Sequence, residues 1–520
     1  MALTYIASLV LLGLLYPVGL AIYRLYFHPL AKFPGRRLAS ISKWYEAYFD
    51  LFVHPGGQYW YEIEEMHKVY GPVVRVNPDE LHIDDPTWID NLYASSSQGI
   101  RDRYPPAALM GGAPESVFGS VSHITHRARR TSLNPLFSKK AVSDSASVVY
   151  THTIALMKRV HDQIKEQGYA EMRMNYLCLA TDTVTDYCFG QPTNLLKDVD
   201  KSVGWFNTMK AIETSTPVAK QFPWLIPFVL NLPSYIVDKL GPHLGRIMAL
   251  RVDLLKQAEQ AVKDYADPIN GHEKESQGAH NLFRTVLSSK VLDPSDKRAT
   301  RMAQEAFTVI AAGSETSGRI LSTATFFIIA HQDRVLPRLL EELKSVMPER
   351  SSRPSIHELE SLPWLSAIVK ESLRITALIT SRIPVVSPVE SLRYKDWVIP
   401  AGTPVSMSPR TILLDPEVYP EPKEFLPERW LQKDLDLLNR NYVPFSRGTF
   451  NCIGMNLGNA ELYVALAMMF RWNKFALHET FLERDIEIIR DCFVGEVSPE
   501  TKGVRIKYED AETAGDWSPF

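Results

Sequence analysis

The sequence predicts a mainly helical chain with small β-sheets, preceded by an apolar N-terminal helix. Three observations carry that prediction. From about Ser138 to Ala266 the apolar residues keep helical periodicity, with breaks. Asp296 to Asp333 contains no proline and suits one helix on the order of 50 Å long. Met455 to Phe470 is largely apolar and rich in Leu, Ala and Met, which are good helix formers. Strand signals are short by comparison. Val73 to Ile83 alternates weakly with β-branched residues, and Trp397 to Thr403 reads as a strand with a hairpin turn at Ile399-Pro400-Ala401-Gly402.

The chain has 520 residues, enough for a large core. Lys plus Arg number 57 and Asp plus Glu 60, a formal net charge of −3, which argues against nucleic-acid binding as the main task. Cys178, Cys188, Cys452 and Cys492 form no CxxC pair, so neither a disulfide framework nor zinc spacing is present. A reducing, cytosol-facing compartment follows.

Ala2 to Tyr23 carries no charged side chain and exceeds the ~20 residues a bilayer crossing needs. Arg24, Lys32, Arg36 and Arg37 follow, with no acid before Glu46. Positive flanks stay inside, so the rest of the chain is expected on the cytosolic side. No basic n-region or cleavage site marks a removed signal, which makes residues 1–24 an uncleaved anchor. His28-Pro29-Leu30-Ala31-Lys32-Phe33-Pro34-Gly35 reads as a stiff, extended linker within a hinge, residues 25–45, and residues 46–520 form the body. Gln98 to Ser120, rich in Gly, Pro and Ser, reads as a long loop. His126-Arg127-Ala128-Arg129-Arg130 opens a helix; its commonest reading is a solvated face, and Arg127 and Arg129 could meet an acidic redox partner. Gln221 to Pro242 sets Pro223, Pro227 and Pro233 among large apolar residues, so it is either core or an apolar surface segment that demands a reason.

Chemistry concentrates at three places. Cys452 stands between Gly448 and Gly454, just before the predicted helix at Met455. Unpaired N–H groups and the helix dipole there favour a thiolate. The glycines permit tight turns and close approach of a flat ligand. An exposed thiolate is a nucleophile or a metal ligand; the alternative is a buried structural cysteine. Ala312-Gly313-Ser314-Glu315-Thr316 interrupts the long helix with residues that weaken and bend it. An acid beside a hydroxyl at such a point is a candidate proton relay. A solvated surface Glu is the alternative, disfavoured by the apolar runs Phe307 to Ala312 and Ile320 to Ala330 on either side. Glu371 and Arg374 share a helix face at i,i+3, a pairing that is usually exposed and weak. Pro427-Glu428-Arg429-Trp430 follows downstream.

Phe445 to Gly454 resembles the haem-binding loop of the cytochrome P450 family, Phe-x-x-Gly-x-Arg-x-Cys-x-Gly, with Phe445, Gly448, Cys452 and Gly454 in register. Phe450 stands where the family usually carries a basic residue that contacts a haem propionate. The resemblance implies a cytochrome P450 fold, mainly α with small sheets, and Cys452 as axial ligand to haem iron. It implies that Glu315 and Thr316 order water and deliver protons to dioxygen, with Gly313 leaving room for dioxygen and substrate. His126 and Arg130 occupy the places of the family's Trp-x-x-x-Arg propionate pair, and Arg382 is a further candidate. Glu371, Arg374 and Arg429 match a structural triad behind the loop. The apolar segment Gln221 to Pro242 would be a membrane-dipping lid.

The implied activity is a haem-dependent monooxygenase acting on an apolar small molecule, of the type found in fungal secondary metabolism (terpenoid, polyketide or alkaloid). Electrons would come from NADPH through an external flavoprotein reductase, because no flavin- or nicotinamide-binding segment is recognisable. The implied location is the endoplasmic reticulum membrane, single-pass. Relatives that rearrange or dehydrate without oxygen usually alter the acid-Thr pair, which is kept here. A non-enzymatic haem sensor is the third alternative.

Overall fold

The computed structural model describes residues 2–266 and 281–509. Its axis is the helix Ala299–Ala330, whose 32 residues fall within the proline-free stretch. The helix is buried nearly throughout: from Arg301 to Ile329 only Ala312 is exposed. A second buried helix, Met172–Phe189, crosses it, and Gly318 sets the distance. A Cβ at Gly318 would lie 2.9 Å from the Leu177 backbone nitrogen, so only glycine fits this crossing. The hydroxyls of Tyr176 and Thr325 pair across it at 2.8 Å. The helix Met455–Arg471, buried without a break from Ala460 to Phe470, packs into the same core.

The strands form small sheets at the edges of this helical body. Val73–Arg75, Leu81–Ile83, Pro404–Ser406, Val385–Val386 and Asp102–Arg103 make five strands in that order. Only Leu81–Ile83 with Pro404–Ser406 is parallel. Ala170–Glu171, Arg505–Tyr508 and Phe475–Leu477 make a second sheet. Leu392–Tyr394 and Trp397–Ile399 form a hairpin that turns at Lys395 and Asp396, with Lys395 at φ 49°. The turn expected at Ile399–Gly402 is instead a corner. With Gly402 at φ 78° it carries the chain from that hairpin into the five-stranded sheet.

The expected loop at residues 98–120 holds a two-residue strand and the one-turn helix Pro105–Leu109. The expected hinge is not a free linker. Leu30 and Phe33 are buried, and Phe33 stacks on Trp397 at 4.9 Å between ring centroids. The Arg75 backbone N–H donates to the Pro34 carbonyl at 2.7 Å. A Cβ on Gly35 would strike the Arg75 carbonyl oxygen at 2.5 Å. Ahead of the hinge lies the helix Ala2–Ile22. Among the described residues, no helix is long and apolar enough to cross a membrane, so the anchor expected at residues 1–24 rests on the sequence. Gln221 to Pro242 folds into two short helices, Leu225–Leu230 and Ser234–Leu240. Trp224 and Phe228 are exposed there, and ring contacts run from Trp44 through Phe222 and Trp224 to Phe228.

Candidate active site

Cys452 lies three residues before the helix Met455–Arg471, which Gly454 caps. Its backbone N–H donates to the Phe445 carbonyl at 2.9 Å, closing the loop into a knuckle. Gly448, at φ +64°, makes the knuckle possible, because a Cβ there would run into the Tyr93 and Ala94 carbonyl oxygens. Gly454 acts differently: the nearest atom to a Cβ there is the Cys452 sulfur, at 4.0 Å. Cys178, Cys188 and Cys492 are buried, whereas Cys452 is exposed.

Cys452 is exposed as a residue, yet its thiol is embedded in surrounding protein. That burial pushes the thiol pKa up; N–H groups of Gly454 and Met455 and the charge of Arg130 pull against it without winning. The helix-end N–H groups pull toward the thiolate as the sequence suggests, and burial works against them. Coordination to a metal is what deprotonates such a sulfur outright.

Arg130 clamps this loop. Its guanidinium donates to the Asn451 carbonyl at 2.6 Å, the Asn451 side-chain oxygen at 2.9 Å, and the Asn134 side chain at 3.0 Å. His126, four residues earlier, is buried against Phe450, with 4.5 Å between ring centroids. Burial and the nearby cations Arg103 and Arg130 push the His126 pKa down to about 3, so its ring is neutral at physiological pH. Among the described residues its Nδ1 has no hydrogen-bond partner. Arg382 does not join them. Its guanidinium is held by Glu80 at 2.7 Å and Glu46 at 2.8 Å, which corrects its reading as a candidate propionate contact. Arg129 is also excluded as an exposed docking residue, being buried and paired with Asp296 at 2.8 Å.

Gln304, Thr308, Ala312 and Thr316, four residues apart on the long helix, are among its more accessible positions, with Ala311 and Gly313 beside Ala312 also partly open. Ser317 lies 3.7 Å from where a Cβ of Gly458 would stand, which sets this turn against the helix following Cys452. The Thr316 hydroxyl donates to the Ala312 carbonyl at 2.9 Å, leaving its lone pairs free to accept. The space left by the missing side chain of Gly313 is filled from Val184, 3.1 Å from an ideal Cβ, so the glycine serves helix packing on that side.

Glu315 turns away from Thr316 into a buried charge cluster. Arg173 pairs with Glu315 at 2.9 Å, Glu496 at 2.6 Å and Glu213 at 3.3 Å. Arg319 adds a contact to Glu496 at 3.2 Å. Burial raises the Glu213 pKa well above the carboxylate range, and the charges of Glu315 and Glu496 raise it further, so Glu213 holds its proton. Burial would also raise Glu496, but Arg173 and Arg319 outweigh it and hold that carboxylate ionised. Arg173, Glu213, Glu496 and Arg319 were not anticipated from the sequence. Glu461 was also missed, although a lone acid inside the apolar run Met455 to Phe470 was a visible signal. It is buried, and its pKa is pushed up to about 8.

Behind the loop, Glu371 is fully buried and takes hydrogen bonds from Arg374 at 2.7 and 2.9 Å, Arg429 at 3.1 Å and the Trp430 indole at 2.9 Å.

The model for the family Cytochrome P450 matches residues 46–487. Cytochrome P450 monooxygenase sdnE of Sordaria araneosa is 37% identical over 96% of this chain and 97% of its own length. Tryptophan 6-hydroxylase fscE of Fusarium equiseti is 37% identical, covering 94% of each chain. Fusicoccadiene C-8 hydroxylase of Phomopsis amygdali is 34% identical over 94% of this chain and 93% of its own. The chain belongs to the cytochrome P450 family and is a monooxygenase of the fungal secondary-metabolism type.

The family implies haem, and the residues present fit it. The exposed Cys452 offers a soft ligand at the head of a helix, and the His126 Nδ1, unpartnered among the described residues and one helix turn before the loop clamp Arg130, offers a polar contact.

Proposed function

We propose that this chain is a membrane-anchored haem-thiolate monooxygenase that inserts one oxygen atom from O2 into an apolar small molecule of fungal secondary metabolism. Its electrons would come from NADPH through an external flavoprotein reductase. The observation that carries the reading is Cys452, an exposed cysteine ahead of the helix Met455–Arg471, which packs at Gly458 against Ser317, the residue after Thr316. Haem bound by Cys452 supplies the redox-active iron that activates dioxygen.

The chain's own residues do the rest. Arg130 fixes the carbonyls of the ligand loop, and Phe445 and Gly448 fix its turn. Thr316, its proton committed to Ala312, accepts a hydrogen bond and so holds a water at the site. Glu315, the residue before Thr316, is tied through Arg173 to the charge cluster that includes Glu213. Glu371, Arg374 and Arg429 keep the ligand loop's support rigid.

The charge-free N-terminal run (residues 1–24), the hinge (25–45) and the body (46–520) are the divisions this reading needs, with single-pass insertion in the endoplasmic reticulum membrane. The exposed rings of Trp44, Trp224 and Phe228 suit a lid that dips into the same membrane. The relatives' names point to different substrates, tryptophan and fusicoccadiene, so they support a small apolar or aromatic molecule and select neither.

The test is the spectrum of the reduced, carbon-monoxide-bound protein together with turnover by reductase and NADPH. A Soret band at the histidine-haem position would refute thiolate ligation. In Thr316→Ala, product formed per NADPH should fall as peroxide rises; an unchanged ratio would remove Thr316 from the proton path.

A further inference from the structure

Arg251 is a cation with donors to spare. It stands half-buried in the helix Pro242–Ala266, where three other parts of the chain meet it. One guanidinium N–H donates to the Gly112 carbonyl at 3.1 Å, in the segment 98–120. The guanidinium carbon lies 5.0 Å from the ring centroid of Phe307 on the long helix. The short helix Leu225–Leu230 closes over the same point: a Cβ on Gly112 would stand 3.1 Å from Ile226 and 3.5 Å from Leu230. Arg251 thus occupies the corner where that segment, the long helix and the apolar lid segment converge.

Among the described residues no carboxylate answers this cation, and the Gly112 carbonyl is its one hydrogen-bond acceptor. The acids that flank its contacts in sequence are committed elsewhere. Glu115 is held by Arg298 and Gln304, Glu305 by Arg301 and the Val117 N–H, and Asp253 accepts from Gln257. Burial lowers the Arg251 pKa with no charged neighbour acting on it, but a guanidinium so placed stays protonated. Arg159, which is more deeply buried, shows the contrast: Asn175, the Leu195 carbonyl and Ser202 take its donors. At Arg251 the remaining donors are left for something else.

The wall beside Arg251 leads to Cys452. The Phe118 ring lies 3.4 Å from where a Cβ of Gly111 would stand, and it meets the Phe493 ring edge-on at 5.8 Å. Phe118 and Phe450 sandwich the Arg103 guanidinium, and Phe450 is two residues from Cys452. Along the long helix, Phe307 precedes Thr316 by roughly 14 Å at the usual rise per residue. The partly open turn Ala311 to Gly313 lies between them.

We infer that Arg251 selects the substrate by binding a carboxylate at one end of an otherwise apolar molecule, remote from the carbon that is oxidised. This rests on the monooxygenase reading above and narrows its substrate class. The planar fork of a guanidinium matches the two oxygens of a carboxylate, and partial exclusion of water strengthens the pair. The apolar remainder would lie along Phe118 and the open turn of the long helix. An anchor at a fixed distance from Thr316 decides which carbon reaches the site, so Arg251 governs the position of oxidation as well as affinity.

The test uses the full-length, haem-loaded protein, with dodecanoate, phenylbutyrate and indolebutyrate as probes, each beside its methyl ester. Binding is read from the spin-state shift of the Soret band. At least one acid should bind on the order of tenfold more tightly than its ester. Arg251→Met, which keeps an apolar stem against Phe307, should abolish that preference and leave ester affinity unchanged. Arg251→Lys, a charge without the fork, should keep only part of it. With reductase and NADPH, product from the bound acid should spread over more carbons in Arg251→Met than in wild type. Acids that bind no better than their esters, or a preference that survives in Arg251→Met, would overturn the inference. Equal loss of acid and ester binding in Arg251→Met would do the same, leaving Arg251 as a staple for Gly112. These outcomes leave the monooxygenase reading intact so long as the reduced carbon-monoxide spectrum keeps the thiolate band; a histidine-type band in the wild type would overturn that reading itself. If Arg251→Met fails to load haem, Arg251→Lys decides: a reduced acid preference with ester affinity kept supports the assignment, and an unchanged preference refutes it.

Discussion

Two buried clusters of arginine and carboxylate lie in the helical body, and they are built to opposite charge balances. Around Glu371 there is one acid and two guanidinium groups. The N–H groups left over from the carboxylate are taken by carbonyls of Leu413, Pro422, Glu424, Pro420 and Glu421. Around Arg173 there are three acids and two guanidinium groups, and one oxygen of Glu213 has no hydrogen-bond partner among the described residues. The first cluster is saturated, so nothing in it gains by moving. The second can be neutral overall only by binding a proton. The same residue types thus make a rivet in one place and a proton store in the other, and the difference lies in stoichiometry and completeness of hydrogen bonding.

The largest effect should come from breaking the rivet. Glu371→Ala leaves two buried guanidinium groups uncompensated and should cost about 3–5 kcal/mol, read by urea unfolding, with little haem-loaded protein recovered. Wild-type stability in this variant would dissolve the contrast. Next comes Glu496→Gln, which removes the carboxylate shared by Arg173 and Arg319 and should cost on the order of 3 kcal/mol. Glu213→Gln should cost only about 1 kcal/mol, because an amide replaces a carboxyl that is already uncharged. Equal losses in these two variants would show that Glu213 is ionised after all.

The pH dependence sharpens the same point. The Glu213 pKa is raised on folding. Its stabilising contribution is therefore fully present below the ordinary carboxylate pKa of about 4.3 and is lost as pH rises through the folded value. Glu496 has the opposite sign, contributing above its unfolded pKa and losing that contribution as acid titrates the folded carboxylate. Measured across neutral to alkaline pH, Glu213→Gln should lose less stability than wild type does. The smallest effect belongs outside both clusters: breaking the exposed Lys68–Glu65 pair by Glu65→Gln should leave the unfolding midpoint unchanged.

The rivet's acid and first arginine were legible in the sequence because they are neighbours on one helix face, as was Cys452 between its glycines; the helix-weakening residues Ala312–Thr316 were visible too, although the helix runs through them unbroken. The proton store was not. Arg173 reaches Glu315 across 142 positions and Glu496 across 323, and no local pattern announces either contact. Arg382 failed for the same reason: its segment suggests a ligand contact, but Glu80, 302 positions away, claims its guanidinium. Composition misled in the hinge. Proline and glycine signal an extended chain, but the segment turns twice, with the Ala31 and Phe33 N–H groups donating to the His28 and Leu30 carbonyls, and nothing in it announces the Trp397 ring beneath Phe33.

That docked hinge decides where the protein tolerates cutting. Removal of everything ahead of His28 spares the seam formed by Leu30, Phe33 and Pro34 with Trp397 and Arg75. Removal of eight residues more would strip one wall from the five-stranded sheet, so the leash that positions the enzyme is also a piece of its masonry.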